Sequence, residues 1–382
     1  MIYRYLAVAV LARFADEGAR VALLLLALDT TGSTFFGGAL AAAFMVPHVL
    51  AASAVGVIAD RARRRAPVYA LFLGGYGAAL AVCGLLTGVL PAAVVLLVAV
   101  LGGACAPLGF GGLSSLIKEL FPAGRRDRVY GLDVMTYNLA GICGPATAAV
   151  VAETPGPRAA TLLLGGGALT AGLVVLSLPL TRREAPAATL GGMLTGGFGA
   201  IWRIRRLRAV TLATSLGAGA TGAFPLIAAL LAIEYHAGYA SGALLSAAAI
   251  GGMAGSLLYA RYPIGARRPE RTVMICLVAS ALPLAAVPFV PGVIPAALLF
   301  GAAGFFFGPQ SAALFTSRDR HAPAAVHTQV FTLGAGLKVT TAALGTALAG
   351  YAAGAGAHGL LFAAAGVHAA AGVLGAAVLA RD

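Results

Sequence analysis

The sequence predicts an all-α membrane protein of twelve transmembrane helices, arranged as two six-helix pseudo-repeats. Three observations carry that expectation. First, 60% of the 382 residues are hydrophobic, 10% are charged, and mean hydropathy is +0.93. Soluble domains carry about 25% charged residues, so this chain cannot cover a water-facing surface and lipid must be its main solvent. Second, a span needs about 20 apolar residues, and twelve spans leave roughly 32 residues for each helix with its loop, too few for a sizeable soluble domain. Third, the basic residues recur in alternate loops between apolar stretches.

Taken in order, the apolar stretches predict helices at 5–29, 34–58, 67–90, 92–118, 128–151 and 158–180, then 208–233, 240–260, 271–290, 292–316, 325–350 and 357–380. Arg61, Arg63, Arg64 and Arg65 follow the second, and Lys118, Arg125, Arg126 and Arg128 flank the loop after the fourth. Arg182, Arg183, Arg203, Arg205, Arg206 and Arg208 follow the sixth. Arg261, Arg267, Arg268 and Arg271 follow the eighth, and Arg318 and Arg320 the tenth. The intervening loops carry Asp29, Glu153, Arg158 and Glu234. Basic residues mark the cytoplasmic side, so both termini are expected there.

The longest connection, 182–207, divides a six-helix half at 1–181 from another at 208–382. Within it Leu190, Met193, Leu194, Phe198, Ile201 and Trp202 recur at helical spacing ahead of arginines, as an amphipathic helix on the inner leaflet would. A polar linker with accidental periodicity is the plainer alternative. The halves echo each other at an offset of about 200 residues: Arg61 corresponds to Arg261, and Pro107 with Ser115 to Pro309 with Ser317. Paired six-helix repeats are the construction of many secondary transporters.

The net charge of +13 follows from this loop pattern, so no nucleic-acid partner is expected. Cys83, Cys105, Cys143 and Cys276 lie singly inside apolar segments, without metal or disulfide spacing. Arg13 interrupts the first apolar run, which argues against a cleaved signal peptide. No phosphate-binding loop, metal cluster or catalytic triad is recognisable, so neither an enzyme nor a cofactor is expected, and an ion gradient must supply the energy. Arginine outnumbers lysine 24 to 2, and alanine and glycine abound, which suggests a GC-rich bacterial source.

The most specific motif is Gly56-Val-Ile-Ala-Asp60-Arg61-Ala-Arg63-Arg64-Arg65. Glycine permits close helix approach, and an acid at the membrane edge can face a helix N-terminus or an arginine and latch the cytoplasmic side. The motif resembles the signature of the major facilitator superfamily, with Arg63 where that family usually has glycine. On the fifth helix Gly131, Gly144 and Pro145 match the pattern of the family's exporter branch, while Ala140, Ala148 and Ala149 stand in place of glycines. The segments Leu11–Phe14, Thr31–Ser33 and Phe121–Arg126 are also similar to the family. The resemblance is greatest to the bacterial twelve-helix drug and siderophore exporters. It implies the major facilitator fold and proton-driven export of a small molecule by alternating access, as a monomer in the bacterial inner (plasma) membrane. Symport of a metabolite inward is the alternative within transport; outside it, a membrane sensor or assembly factor.

Charges inside the spans are the remaining candidates. Arg13, Asp16, Glu17 and Arg20 share an arc of about 100° on the first helix. Pairing at i,i+4 could make them a self-neutralised structural cluster, or a buried carboxylate reset by arginine could carry a proton; the sequence leaves both open. Asp133 is a further proton candidate. Lys338 stands alone near the middle of the eleventh helix, too deep to snorkel easily, on a stripe with His327, Phe331, Gly334, Thr341 and Gly345. It is expected to line the cavity, with His48, Asn138 and Gln310 as further candidates; a structural lysine and a packed His48 are the alternatives.

Overall fold

A computed structural model describes residues 1–181 and 190–380. Twelve long helical segments follow one another: α1 (Ile2–Thr31), α2 (Thr34–Arg61), α3 (Arg65–Leu86), α4 (Ala92–Leu120), α5 (Ala123–Glu153) and α6 (Pro157–Val175), then α7 (Arg205–Glu234), α8 (Ala240–Arg261), α9 (Pro269–Phe289), α10 (Val293–His321), α11 (Ala324–Tyr351) and α12 (Ala353–Ala380). The ten from α3 to α12 are long and apolar enough to cross a membrane. An eleventh candidate, α2, bends by 44° between Phe35–His48 and Leu50–Arg61, next to Pro47, whose missing N–H breaks the helical ladder. The thirty-residue α1 has the length, and its charged cluster is what sets it apart from the others. The all-helical fold is as predicted, and the ten spans, eleven with α2, come close to the predicted twelve.

The second half of α4 is irregular. Pro107 opens a single 3-10 turn, and short helical pieces follow at Gly111–Ser115 and Ile117–Leu120. Irregular backbone at membrane depth survives where protein buries it and partners satisfy it. Here residues 106–117 are buried, and Gly112 O accepts from both Tyr69 (2.8 Å) and Ser115 (2.7 Å).

The described residues form two compact units. One comprises Met1–Pro122, Leu139–Phe198 and Ala324–Gly336; the other comprises Ala123–Asn138, Gly199–Pro323 and Leu337–Asp382. The start of α11 therefore packs with the N-terminal helices, and the start of α5 with the C-terminal ones. The first unit's core is alanine-rich around Leu23, Phe44, Tyr76 and Leu80, and the second's centres on Phe224, Leu284, Phe300 and Leu361. In membranes close backbone approach replaces the hydrophobic drive, and α8 against α10 is the clearest case. A β-carbon built on Gly251, Gly255 or Gly304 would lie 2.0 Å from a carbonyl oxygen of the facing helix, and on Gly308 2.3 Å from Ser256 N.

A helix also forms at Leu190–Arg203, in the connection between the halves. Ile201 is buried while Phe198 and Trp202 are exposed. Gly197 N donates to Gln329 Oε1 at 3.2 Å, which ties this helix to the start of α11. Arg182 and Arg183, and the side chains of Leu190, Met193 and Leu194, fall outside the described residues.

Candidate functional site

Three constellations hold the candidate residues. The first lies at the arginine-rich end of the first unit. The opening turn of α11 has backbone N–H groups without helical acceptors, and Asp60 at the end of α2 caps it. Its two carboxylate oxygens accept from Thr328 N and Gln329 N, both at 3.0 Å. Arg65 lies 3.8 Å from Asp60 and 3.5 Å from Glu119, and all three side chains are almost completely buried. Arg65 also donates to Thr328 Oγ1. Gly56 makes room: a β-carbon there would stand 2.8 Å from Gln329 Cα. Arg61 is partly exposed, and Arg63 and Arg64 are exposed. Among the described non-glycine residues only His236 has a positive φ, so Arg63 occupies ordinary backbone where the family's glycine would stand.

The corresponding end of the second unit is tied in a similar way. Asp127, in the first turns of α5, accepts from Thr316 at 3.0 Å and pairs with Arg320 at 3.3 Å. Arg126 meets Asp319 at 3.4 Å, and Glu270 accepts from Ser317 at 2.8 Å and His321 at 2.9 Å. Ser115 and Ser317, which correspond in the sequence repeat, are both buried and hydrogen-bonded within their tie. Glu119, Asp127, Glu270 and Asp319 escaped the sequence reading. Their signal was their rarity: the chain has thirteen acids in all, and these four sit beside arginine-rich loops. Arg318, read from sequence as a loop arginine, is in fact inside α10 and 1% exposed, because that helix continues to His321 rather than stopping near 316.

The second constellation is on α1. Arg20 bridges both neighbouring acids, at 3.3 Å to Asp16 and 3.1 Å to Glu17. Arg13 is buried and donates to Ser114 at 3.1 Å. His48 lies within electrostatic reach of Asp16 and Arg20, with its ring edge-on to Phe110 at 5.4 Å. Helix α5 crosses here: a β-carbon on Gly144 would come within 2.9 Å of Gly18 N and 3.2 Å of Glu17 Cβ. Gly131 makes an equally close approach elsewhere, to Ala260 N in the second unit. Pro145 sits inside an uninterrupted α5.

The third is a cavity of about 370 Å³ within the second unit. Asn138, Gln310 and Lys338 all line it, together with Phe224, Phe307 and His368. His48 belongs with the α1 cluster instead, and Asp133 is fully buried in the protein without lining this cavity. The predicted stripe on α11 divides: His327 and Phe331 are buried in the first unit, Lys338 faces the cavity, and Gly345 packs on Gly219. Among the described residues no group of His, Cys, Asp and Glu has the arrangement of a metal site.

A sequence model of the Major Facilitator Superfamily matches residues 5–339. The chain belongs to that superfamily. An uncharacterised MFS-type transporter of Sinorhizobium fredii, y4rN, is 27% identical over 360 residues, covering 91% of this chain and 87% of its own. Among solved structures, the human organic anion transporter MFSD10 (TETRAN) superposes with a TM-score of 0.78 at 16% identity, over 98% of this chain and 99% of its own. FucP in its outward conformation gives 0.72 at 14%, over 99% and 98%. The proton:xylose symporter XylE gives 0.70 at 13%, over 98% and 94%. These likenesses share the major facilitator fold. The protein is thus a multi-pass membrane transporter of this superfamily.

Proposed function

We propose that the protein is a proton-coupled secondary transporter that exports a small molecule by alternating access, with both termini in the cytoplasm of a bacterial cell. The carrying observation is the cap that Asp60 makes on Thr328 and Gln329. A carboxylate from one sequence half holding a helix start from the other is a contact that can be made and broken as the halves, 1–181 and 208–382, exchange access. Coupling rests on Asp16 and Glu17 sharing the single guanidinium of Arg20: a proton taken by one acid frees the arginine for the other. Export rests on the α5 pattern, whose Gly144 brings that helix onto α1 beside Glu17.

The test is proton movement in proteoliposomes containing a pH-sensitive dye. Compounds of mixed charge are offered outside, and their uptake is followed beside internal pH. Antiport gives protons leaving as a compound enters. Protons entering with the compound would establish symport and overturn the export reading, and transport with no proton movement would overturn coupling.

A further inference from the structure

We propose that the cavity of the second unit is a binding site for an amphipathic organic anion, with Lys338 and Gln310 receiving a carboxylate or sulfonate head and an aromatic wall receiving an apolar body. The proposal rests on the transporter reading, since it names the class of substrate.

The volume of about 370 Å³ lies within the range of small-molecule sites, roughly 300–1,000 Å³. No aspartate or glutamate lines it, and Lys338 is its one formally charged wall residue. Among the described residues neither a hydrogen bond nor an ion pair reaches the Lys338 ammonium, and the one charged group acting on it is Arg318, of like sign. Arg318 is itself buried, with Nε and Nη2 lacking hydrogen-bond partners. Two cations in a poorly screened interior raise a positive potential, and a lone ammonium at this depth is unfavourable until something compensates it. A bound anion is that compensation.

Three other polar residues of the wall are already engaged. Thr214 and Thr221 donate to carbonyls of their own helix, and the Asn138 amide donates to Val134 O. Gln310 Oε1 has no partner, and an amide's O and N are interchangeable in placement, so Gln310 is free to turn its NH₂ toward an anion. Lys338 and Gln310 thus offer two donors to one cavity, which suits a single head group. Phe224, Phe307 and His368, which line the same cavity, form a contiguous aromatic surface, with ring centroids 5.6–6.4 Å apart. The His368 Nε2 donates to Gly217 O at 3.1 Å, which fixes that ring in the wall. Such a surface receives a planar apolar body.

Calorimetry on the protein in lipid nanodiscs tests this with three probes of one shape: 1-naphthylacetate, its neutral amide and 1-naphthylethylamine. The carboxylate should bind at least about tenfold tighter than either other probe, the scale of a charge-assisted hydrogen bond. Lys338→Met should erase the preference and Lys338→Arg should keep it. Equal or tighter binding of the amide or amine, binding of none of the three, or an unchanged preference in a folded Lys338→Met protein overturns the assignment. Flux in proteoliposomes separates the two readings. A carboxylate that binds but never crosses defeats the transport reading and leaves the site, whereas an amine or amide carried without any preference for anions defeats the site and leaves transport.

Discussion

Asp60 and Thr328 stand 268 residues apart in the chain and are joined by a 3.0 Å hydrogen bond, so the first turn of α11 is capped by an acid that its own segment does not contain. Asp60→Asn keeps the shape but removes the charge and turns one acceptor into a donor facing an N–H. Hydrogen bonds to charged groups are worth roughly 1.5–3 kcal/mol, which is about ten- to hundredfold in an equilibrium between held and released states. The variant should insert and fold normally yet transport at least about tenfold more slowly per molecule. Rates equal to wild type in well-folded protein would leave the Asp60 cap without a part in the cycle.

The Arg20 bridge makes a sharper demand. With Asp16→Asn and Glu17→Gln combined, Arg20 loses both ion-pair partners seen on α1. The double variant should exchange substrate down its gradient but fail to accumulate it against one when a pH gradient is imposed. Full uphill transport by that protein would move the proton site elsewhere, with Asp133 or His48 next to be tested.

Gly144→Ala tests packing apart from chemistry. Its methyl group would be 2.9 Å from backbone atoms of α1, whereas a β-carbon at Gly166 meets nothing within 4 Å. Overpacking of this kind costs about 1–3 kcal/mol. Thermal unfolding in detergent should show Gly144→Ala clearly less stable and Gly166→Ala unchanged or slightly more stable.

Orientation is open to labelling in a background without the four native cysteines. Arg126→Cys and Arg268→Cys should resist impermeant thiol reagents in intact cells, and Glu153→Cys, exposed at the end of α5, should react. The reverse pattern would turn the whole molecule over.

Much of this was legible in the sequence. Spans announce themselves by composition, because lipid leaves no other solution for the backbone. Asp60 stood out since an acid at a membrane edge, four residues after a glycine, has few structural excuses. Its partners could not be read: Thr328 and Gln329 contribute backbone N–H groups, which every residue carries. Likewise the pairing of Arg65 with Glu119 depends on the irregular end of α4, which no periodicity encodes. The depth of Arg318 was hidden for another reason. A run of charged residues reads as a loop, and only the continuation of α10 to His321 buries its first member. Lys338, Asn138 and Gln310 were each visible as polar residues in apolar surroundings, but their convergence on one cavity is a property of three different helices.

The glycine seam between α8 and α10 has a practical use. Carbonyl oxygens of one helix lie where β-carbons of the other would be, so the two backbones are seated directly on each other and close packing opposes their rotation or sliding. Spin labels placed on the exposed faces of these two helices, at Leu257 and Leu298 for example, should therefore report one fixed separation under every condition. That pair is a built-in ruler against which any distance that does vary during turnover can be calibrated.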